Sequence, residues 1–272
     1  MTHPETTILL VGYGWFRGIP EGEINNAEAI ARALDGEYLF AQDGSGAAGR
    51  IHSLIAPVTW DGAFAPVEAA ALELRPQIIL ALGTDAASPA MRPEPYGVNW
   101  CEGRDARPDD PGAEAERSGE LIPGGEPVLR GTLPFEAMTR AMLRAGIPAY
   151  MGSLQESKPG APMEKCATTG LYLCNLMAYR LAHFAKTAPF PVRTGFMHVP
   201  NQPAYAAARR LRRLEAEPEA LSRPIYASMT LAQMVEGVRV ALGACLSIIH
   251  FSAREAQACT LGFKERMNAY ER

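Results

Sequence analysis

The feature that most constrains the fold is a regular alternation of short apolar runs with helix-like segments. Thr7–Val11 is an apolar run that leads into the glycine-rich sequence GYGWFRG, as a buried strand leads into a loop. The segment INNAEAIARALDG, from Ile24, has an asparagine cap and a glycine stop and predicts a helix. Because strands that alternate with helices favour parallel pairing, the pattern predicts a largely parallel, buried sheet with helices on both faces.

The same alternation continues along the chain. Further strands are predicted at Tyr38–Phe40, Ile51–Trp60, Gln77–Gly83 and Ile147–Tyr150. Helical patterns lie between them in APVEAAALEL, before Arg75, and in PFEAMTRAMLRAG, from Pro134. The C-terminal part predicts a long apolar helix over Thr230–Phe251 and an amphipathic helix over Ala253–Tyr270.

The 272 residues are expected to form a single α/β domain, because single α/β domains often exceed 200 residues. Cys101–Pro127 is rich in Gly, Pro, Asp and Glu and predicts a long surface loop. Ser153–Lys165 predicts a second irregular stretch. We therefore expect one hydrolytic domain over 1–272, with insertions near 101–127 and 153–165 and a C-terminal helical extension.

Charge and cysteine usage narrow the functional classes. The formal net charge is -4, and the short basic run ARRLRRL, Ala208–Leu214, is typical of a solvated helix face, so no nucleic-acid partner is expected. The apolar run ILLVGYG is too short for a signal sequence or a membrane span, which predicts a cytoplasmic protein without a membrane partner. Five cysteines without paired spacing favour reduced thiols over disulfides or zinc. They are Cys101, Cys166, Cys174, Cys245 and Cys259.

One of these thiols stands at the start of a predicted helix, in TTGLYLCNLMAYRLAHF. A helix N-terminus stabilises the thiolate of Cys174, and its backbone N–H groups can bind an oxyanion. His198, in RTGFMHVPNQP at the exit of a predicted strand, could be the base, and Glu94, in MRPEPYGVN, could orient it. Taken singly, each also fits a bland role: a buried thiol, a strand-end histidine and a solvated loop acid.

Four segments in order, GYGWFRG, PEPYGVN, GLYLCN and GFMHVP, resemble the type I pyroglutamyl peptidase family. The nucleophile motif G-x-Y-x-C-N is matched at Cys174, the base motif G-F-x-H-x-P at His198, and the acid position at Glu94. The resemblance implies a three-layer α/β/α sandwich with a largely parallel twisted central sheet. It also implies a Cys-His-Glu triad that removes N-terminal pyroglutamyl groups without a metal or organic cofactor.

The resemblance further implies an apolar slot for the flat lactam ring, with Phe16 and Tyr13 on the glycine-rich loop. Tyr172 and Leu173 beside the nucleophile, with Thr84 after the strand that ends at Gly83, complete the expected substrate-binding set.

The sequence departs from the family near the substrate. Pro95 replaces the arginine that usually follows the acid, Thr169 replaces an alanine, and Arg17 adds a cation to the glycine-rich loop. These departures leave two alternatives to a peptidase: a related cysteine amidase for another lactam or acyl amide, and a binding homologue without catalysis. The apolar C-terminal helices also predict self-association into a homo-oligomer.

Overall fold

The computed structural model describes residues 5–16, 19, 23–104, 116–154, 167–216 and 228–248. Its strands are β1 Thr6–Tyr13, β2 Tyr38–Phe40, β3 Ala48–Ala56, β4 Ile78–Thr84, β5 Arg92–Glu94, β6 Tyr96–Val98, β7 Cys101–Arg104, β8 Glu116–Gly119, β9 Val128–Arg130 and β10 Arg193–Val199. Its helices are α1 Asn26–Leu34, α2 Ala65–Leu74, α3 Phe135–Arg144, α4 Leu173–Thr187, α5 Pro203–Ala216 and α6 Leu231–Ile248.

A six-stranded sheet in the order β2-β3-β1-β4-β10-β5 forms the centre of the structure. Strands β3, β1, β4 and β10 are parallel, and the edge strands β2 and β5 run antiparallel to their neighbours. The interior strands are buried nearly throughout, as the continuous apolar runs of β1 and β4 require when helices cover both faces. The predicted three-layer α/β/α sandwich with a largely parallel sheet is confirmed.

The pairing register shows which helices share a face. Leu80 of β4 is paired with Leu10 of β1 on one side and with Gly195 of β10 on the other. Gly12 lies two residues after Leu10, so Gly12 and Gly195 are on the same face of the sheet. Gly12 abuts α1 at Ala27, and Gly195 abuts α3 at Phe135. Helix α6 lies on this face too, through Leu246 against Gly49 and Ile8.

The opposite face carries α4 and α2. Thr194 of β10 donates from Oγ1 to the carbonyl of Leu181 in α4 at 2.8 Å. Phe64, at the start of α2, packs edge-on against Phe184 of α4, with ring centroids 6.4 Å apart. Because α4 begins with the segment that contains Cys174, this face holds the candidate site.

Two predictions were wrong for the described residues: a long surface loop over Cys101–Pro127 and a strand over Ile147–Tyr150. The described part of Cys101–Pro127 contains an antiparallel hairpin of β7 and β8, while residues 105–115 lie outside the described residues. The hairpin is fixed by tertiary contact, because Glu102 N–H donates to the carbonyl of Leu171 at 2.8 Å. The strand predicted at Ile147–Tyr150 is only an isolated bridge between Ala149 and Met91.

The remaining predicted elements agree apart from their ends. The strand predicted over Ile51–Trp60 is β3, which begins earlier and ends at Ala56. The ARRLRRL run lies on α5, with Leu211 61% exposed, as expected of a solvated helix face. The predicted irregular stretch 153–165 falls almost wholly outside the described residues, as does the amphipathic helix predicted over Ala253–Tyr270.

Helix α6 has the length and composition that could cross a bilayer, the one such helix among the described residues. In the fold, however, Val238, Leu242 and Cys245 are fully buried. The helix packs against the sheet through Leu246 and against Met91 at Gly237, which is the environment of a core helix.

The close approach of β6 to α4 yields a test of the fold. A Cβ at Gly97 would lie 2.5 Å from the backbone nitrogen of Tyr179, and neither backbone can yield locally. We expect Gly97→Ala to lower the free energy of unfolding by about 1–3 kcal/mol through overpacking, measured by urea denaturation.

The matched control is Gly237→Ala in α6. There a Cβ would meet the flexible end of Met91 at 3.1 Å, and alanine improves helix propensity. We expect its unfolding free energy to stay within about 1 kcal/mol of wild type. Equal destabilisation by the two substitutions would contradict the close packing of β6 on α4.

Candidate active site

The register of the edge strand brings three polar side chains to one face. Strand β5 pairs antiparallel with β10, so that His198 lies opposite Arg92 and Phe196 lies opposite Glu94. Alternate residues of a strand share a face, and directly paired residues do too. Arg92, Glu94 and His198 therefore all point towards α4 at the carboxyl end of β10.

Glu94 and His198 form a buried hydrogen-bonded pair. His198 Nδ1 lies 2.8 Å from Glu94 Oε1, and the Glu94 side chain is fully buried. Burial alone would raise the pKa of Glu94, but the hydrogen bond and charge of His198, with the charge of Arg92, lower it. Glu94 is therefore an anion that accepts a hydrogen bond from Nδ1–H, which leaves Nε2 for chemistry.

The second oxygen of the Glu94 carboxylate also accepts a hydrogen bond. Thr168 donates a hydrogen bond from Oγ1 to Glu94 Oε2. Thr168 is itself held by Ser153. The Ser153 N–H donates to the same Oγ1 at 3.0 Å, and the Thr168 N–H donates to the Ser153 carbonyl at 3.0 Å. Glu94 is thus fixed at both oxygens, as a positioning carboxylate must be.

His198 also interacts with Cys174. Burial lowers the pKa of His198, but the charge of Cys174, a hydrogen bond to Cys174 and the contact with Glu94 outweigh burial and raise it to about 10. The imidazole is therefore charged when the thiol is ionised. Cys174, His198 and Glu94 therefore form a continuous chain of interacting groups, an arrangement that suits a nucleophile, its base and an orienting acid.

Cys174 is the second residue of α4 and is partly exposed. The first N–H groups of a helix have no intrahelical acceptors, so they can stabilise negative charge at this position. The turn before the helix depends on Gly170, whose φ of 74° lies in the left-handed region. The motif glycine thus turns the chain into the helix that carries the thiol.

Asn175, the residue after the thiol, fixes the helix to the neighbouring segment. Its Oδ1 accepts from Val98 N–H at 2.8 Å, and its Nδ2 donates to the carbonyls of Val98 and Trp100, each at 2.8 Å. Thr169, one of the departures from the family, donates from Oγ1 to Asn175 Oδ1 at 3.2 Å. Asn175 is fully buried, so the C-N pair in the motif combines a reactive group with its anchor.

Gly83 at the end of β4 leaves space for the thiol. A Cβ at this position would lie 2.6 Å from the ring of Phe196 and 3.0 Å from Cys174 Sγ. A larger residue would displace the sulfur or the strand beneath it, so this glycine is required by space around the reactive atom.

Two of the predicted substrate residues are more buried than expected. Tyr13 is 4% exposed, and its hydroxyl donates to the Leu173 carbonyl at 2.6 Å. Burial first, and then the charges of Cys174 and Tyr172, raise its pKa, so the phenol stays neutral. Leu173 is 1% exposed and belongs to the core. Tyr13 therefore supports the first turn of α4, and its polar atom is already satisfied.

The other predicted substrate residues lie around the same end of the sheet. Tyr172 stacks edge-on against Trp60, with ring centroids 5.2 Å apart. Phe16 is half-buried against the core. Thr84 donates from Oγ1 to Asn25 Oδ1 at 2.6 Å, and Asn25 in turn donates to the Gly14 carbonyl at 2.8 Å, so Thr84 braces the glycine-rich loop. Their contact with substrate stays a prediction, and Arg17 lies outside the described residues.

Sequence reasoning missed Arg92, whose guanidinium lies between Glu94 and Asp85. Arg92 donates from Nε to Glu94 Oε1 at 2.5 Å and from Nη2 to Asp85 Oδ2 at 2.8 Å. The signal was present in the spacing R-x-E, which places both side chains on one face of a strand. It was concealed because Glu94, flanked by Pro93 and Pro95, was assigned to a loop, whereas the structure places it on β5.

The other described cysteines differ from Cys174 in environment. Burial raises the pKa of Cys101 and raises that of Cys245 to about 12, so both stay protonated. Cys166 and Cys259 lie outside the described residues. No group of three or more potential metal ligands occurs among the residues that the structure describes.

Comparisons with known proteins identify the family of this chain. The family described as pyroglutamyl peptidase matches residues 6–247. A pyrrolidone-carboxylate peptidase of Cupriavidus pinatubonensis is 30% identical over 89% of this chain and 93% of its own length. One from Pyrococcus furiosus is 28% identical over 72% of this chain and 81% of its own.

Solved structures give the same result. A mutant pyrrolidone carboxyl peptidase from the hyperthermophile Pyrococcus furiosus superimposes with a TM-score of 0.68 at 26% identity. The match covers 89% of this chain and 98% of that one. The chain therefore belongs to the pyroglutamyl peptidase family and is a cysteine hydrolase of that type.

Proposed function

We propose that this protein removes pyroglutamyl groups from the N-termini of peptides through a triad of Cys174, His198 and Glu94. The observation that carries the proposal is the buried chain from the Glu94 carboxylate through the His198 imidazole to the Cys174 thiol. The printed names of the relatives support the choice of substrate. Release of aminomethylcoumarin from its pyroglutamyl amide by the purified chain tests it directly.

The reaction begins with proton transfer from Cys174 Sγ to His198 Nε2. The thiolate attacks the amide carbonyl, and a carbon–sulfur bond forms. The carbon–nitrogen bond then breaks, and the proton on Nε2 passes to the departing amine. Water next attacks the thioacyl carbon, with His198 as base, and the carbon–sulfur bond breaks to release the free acid and the thiol.

Glu94 acts by holding the ring of His198 and stabilising its charged form. The anion accepts from Nδ1–H, which directs Nε2 towards the thiol. The oxyanion of each tetrahedral intermediate would be stabilised by backbone N–H groups in the first turn of α4, beside the reactive sulfur.

The surroundings of Tyr13 support a neutral acyl group. Its side chain is buried and its hydroxyl is bonded to the Leu173 carbonyl, so Tyr13 presents no open polar group to a substrate. A lactam ring is flat and uncharged and suits such a site. Tyr13, the last residue of β1, therefore does not by itself favour the amidase alternative.

Removal of the nucleophile is expected to abolish turnover. Cys174→Ala and Cys174→Ser should give no detectable release of aminomethylcoumarin with an unchanged circular dichroism spectrum, because a hydroxyl is a far weaker nucleophile in this setting. In the wild type, iodoacetamide should label Cys174 before the buried Cys101 and Cys245, as read by peptide mapping.

Cys245→Ala is the matched control, since that thiol is buried in α6 away from the triad. It should retain turnover and the labelling of Cys174. Wild-type activity in Cys174→Ala, or first labelling of another cysteine, would refute the nucleophile assignment.

Neutralisation of the acid is expected to weaken catalysis without abolishing it. Glu94→Gln can still accept a hydrogen bond from His198 but cannot stabilise the imidazolium by charge. We expect kcat/KM for the pyroglutamyl amide to fall by about 100-fold, to a level still above that of Cys174→Ala.

The control for this measurement is Glu126→Gln, which removes an exposed partner of Lys186. It should leave kcat/KM unchanged. If Glu94→Ala were as active as wild type, another acid would have to orient the ring, and Asp85, which is paired with Arg92, would be the candidate.

Phe16 is expected to contribute to acyl-group recognition. Removal of the ring in Phe16→Ala should lower kcat/KM for the pyroglutamyl amide by about 10-fold or more, because an aromatic contact with the lactam is worth ~1–3 kcal/mol. The rate of Cys174 alkylation should not change, because the triad is intact.

Phe190→Ala is the control, because Phe190 is also half-buried against the core but precedes β10 at the opposite end of the sheet. Ring-expanded and carboxylate-bearing acyl amides complete the panel. If wild type left the pyroglutamyl amide intact and cleaved one of these analogues, the acyl group of the substrate would have to be reassigned.

A further inference from the structure

Arg92 has a partner at each of its guanidinium nitrogens. Beyond the bonds to Glu94 and Asp85, Nη1 donates to Tyr150 Oη at 2.8 Å and Nη2 donates to the Thr168 carbonyl at 3.2 Å. The side chain is 11% exposed. Four of its five N–H groups thus donate to acceptors within the protein, so the role of Arg92 concerns chiefly the groups already around it.

The arginine lies against the base of the triad. Its Nη2 is 3.1 Å from His198 Nδ1, while both residues donate to Glu94 Oε1. Because Nδ1 carries the proton that Glu94 accepts, the two nitrogens are both donors, and the short distance between them is not a hydrogen bond. A fixed cation thus stands beside the ring that becomes positive during the reaction.

Charged and titratable groups reach His198 from several elements. Strand β5 provides Arg92 and Glu94, α4 provides the thiol of Cys174, and the turn after β4 provides Asp85. From β1, the neutral phenol of Tyr13 lies close enough to feel the charge of Cys174. The aromatic neighbour on β10 itself, Phe196, is uncharged.

Arg92 and Asp85, which carry opposite charges, have opposite electrostatic effects on the Cys174–His198 pair. Arg92 disfavours a proton on His198 and favours the thiolate of Cys174, since both effects follow from positive charge. Asp85, whose carboxylate is 26% exposed, favours the imidazolium and disfavours the thiolate. Burial raises the pKa of Asp85, but a hydrogen bond from the Ala87 N–H and then the charge of His198 lower it below its usual value. The charges of Asp85 and His198 therefore interact.

We propose that Arg92 and Asp85 are opposed positioning residues that set the pH range over which the Cys174–His198 ion pair exists. The proposal rests on the triad proposed above. Arg92 weakens the hold of Glu94 on the imidazolium, so that His198 releases its Nε2 proton to the departing amine more readily. Asp85 offsets the cation and prevents the ring from losing its charge too early.

The first experiment measures the alkylation rate of Cys174 by iodoacetamide as a function of pH, with peptide mapping to assign the label. It requires no pyroglutamyl substrate. Arg92→Gln should move the midpoint to higher pH by about one pH unit, because a fixed charge within about 4–6 Å has effects of this size. Asp85→Asn should move it to lower pH by a smaller amount, because its carboxylate is more exposed and better screened.

The second experiment measures kcat/KM for the pyroglutamyl amide over the same pH range. Both limbs of the profile should move to higher pH in Arg92→Gln and to lower pH in Asp85→Asn. Arg92→Lys should keep both limbs near their wild-type positions but lower kcat, because lysine retains the charge without the forked geometry. The double variant should return the limbs towards wild type.

Arg239→Gln is the matched control, since Arg239 of α6 pairs with Glu37 at 3.0 Å beside the opposite edge of the sheet. It should move neither curve. The proposal is overturned if Arg92→Gln and Asp85→Asn move the midpoints in the same direction, or if both lower kcat with the midpoints unmoved. Should Arg92→Gln fail to fold by circular dichroism, Asp85→Asn and Arg92→Lys still decide the question.

The two experiments separate this proposal from the proposed function. If the alkylation midpoints move in opposite directions while no variant cleaves the pyroglutamyl amide, the charge pair stands and the substrate is wrong. If the amide is cleaved while the midpoints do not respond, the substrate stands and the charge pair is wrong.

Discussion

The antiparallel pairing of β5 with β10 is the constraint on which the site depends. It places Arg92 and Glu94 on the same face as His198, and that face is covered by the helix that begins at Cys174. A parallel strand in this position would require a long crossover, whereas an antiparallel edge strand can be reached by a short irregular connection from β4. The parallel interior thus positions His198 and the helix that carries Cys174, and the antiparallel edge strand positions Glu94.

A buried cluster of charges is tolerable here because its members satisfy one another. Both oxygens of Glu94 accept hydrogen bonds, and Arg92 has a partner at each nitrogen. Within the described ranges, no buried side-chain nitrogen or oxygen is without a partner. Loss of one member would leave an uncompensated charge in a region of low polarity, which costs more than the intact pair contributes.

The sequence predicted the parts of the fold and site that local pattern determines. The apolar runs of β1 and β4 and the motifs around Cys174 and His198 are contiguous, so their secondary structure and chemistry could be read directly. The β7–β8 hairpin could not be predicted, because its residues lack apolar alternation and are held by the contact of Glu102 with Leu171. Arg92 was missed for a related reason, since several of the groups around its guanidinium come from segments distant in sequence, among them Tyr150, Thr168 and His198.

The edge strand has a consequence for cooperativity within the fold. Strand β5 is three residues long and contains Pro93, which has no N–H to donate, so its ladder of backbone bonds to β10 is short. The ion pairs and hydrogen bonds of Glu94 and Arg92 are therefore part of what closes the sheet at this edge. Local opening of β5 would separate Glu94 from His198 while the parallel interior stayed folded, so the lifetime of the proposed triad is limited by the opening of one short strand.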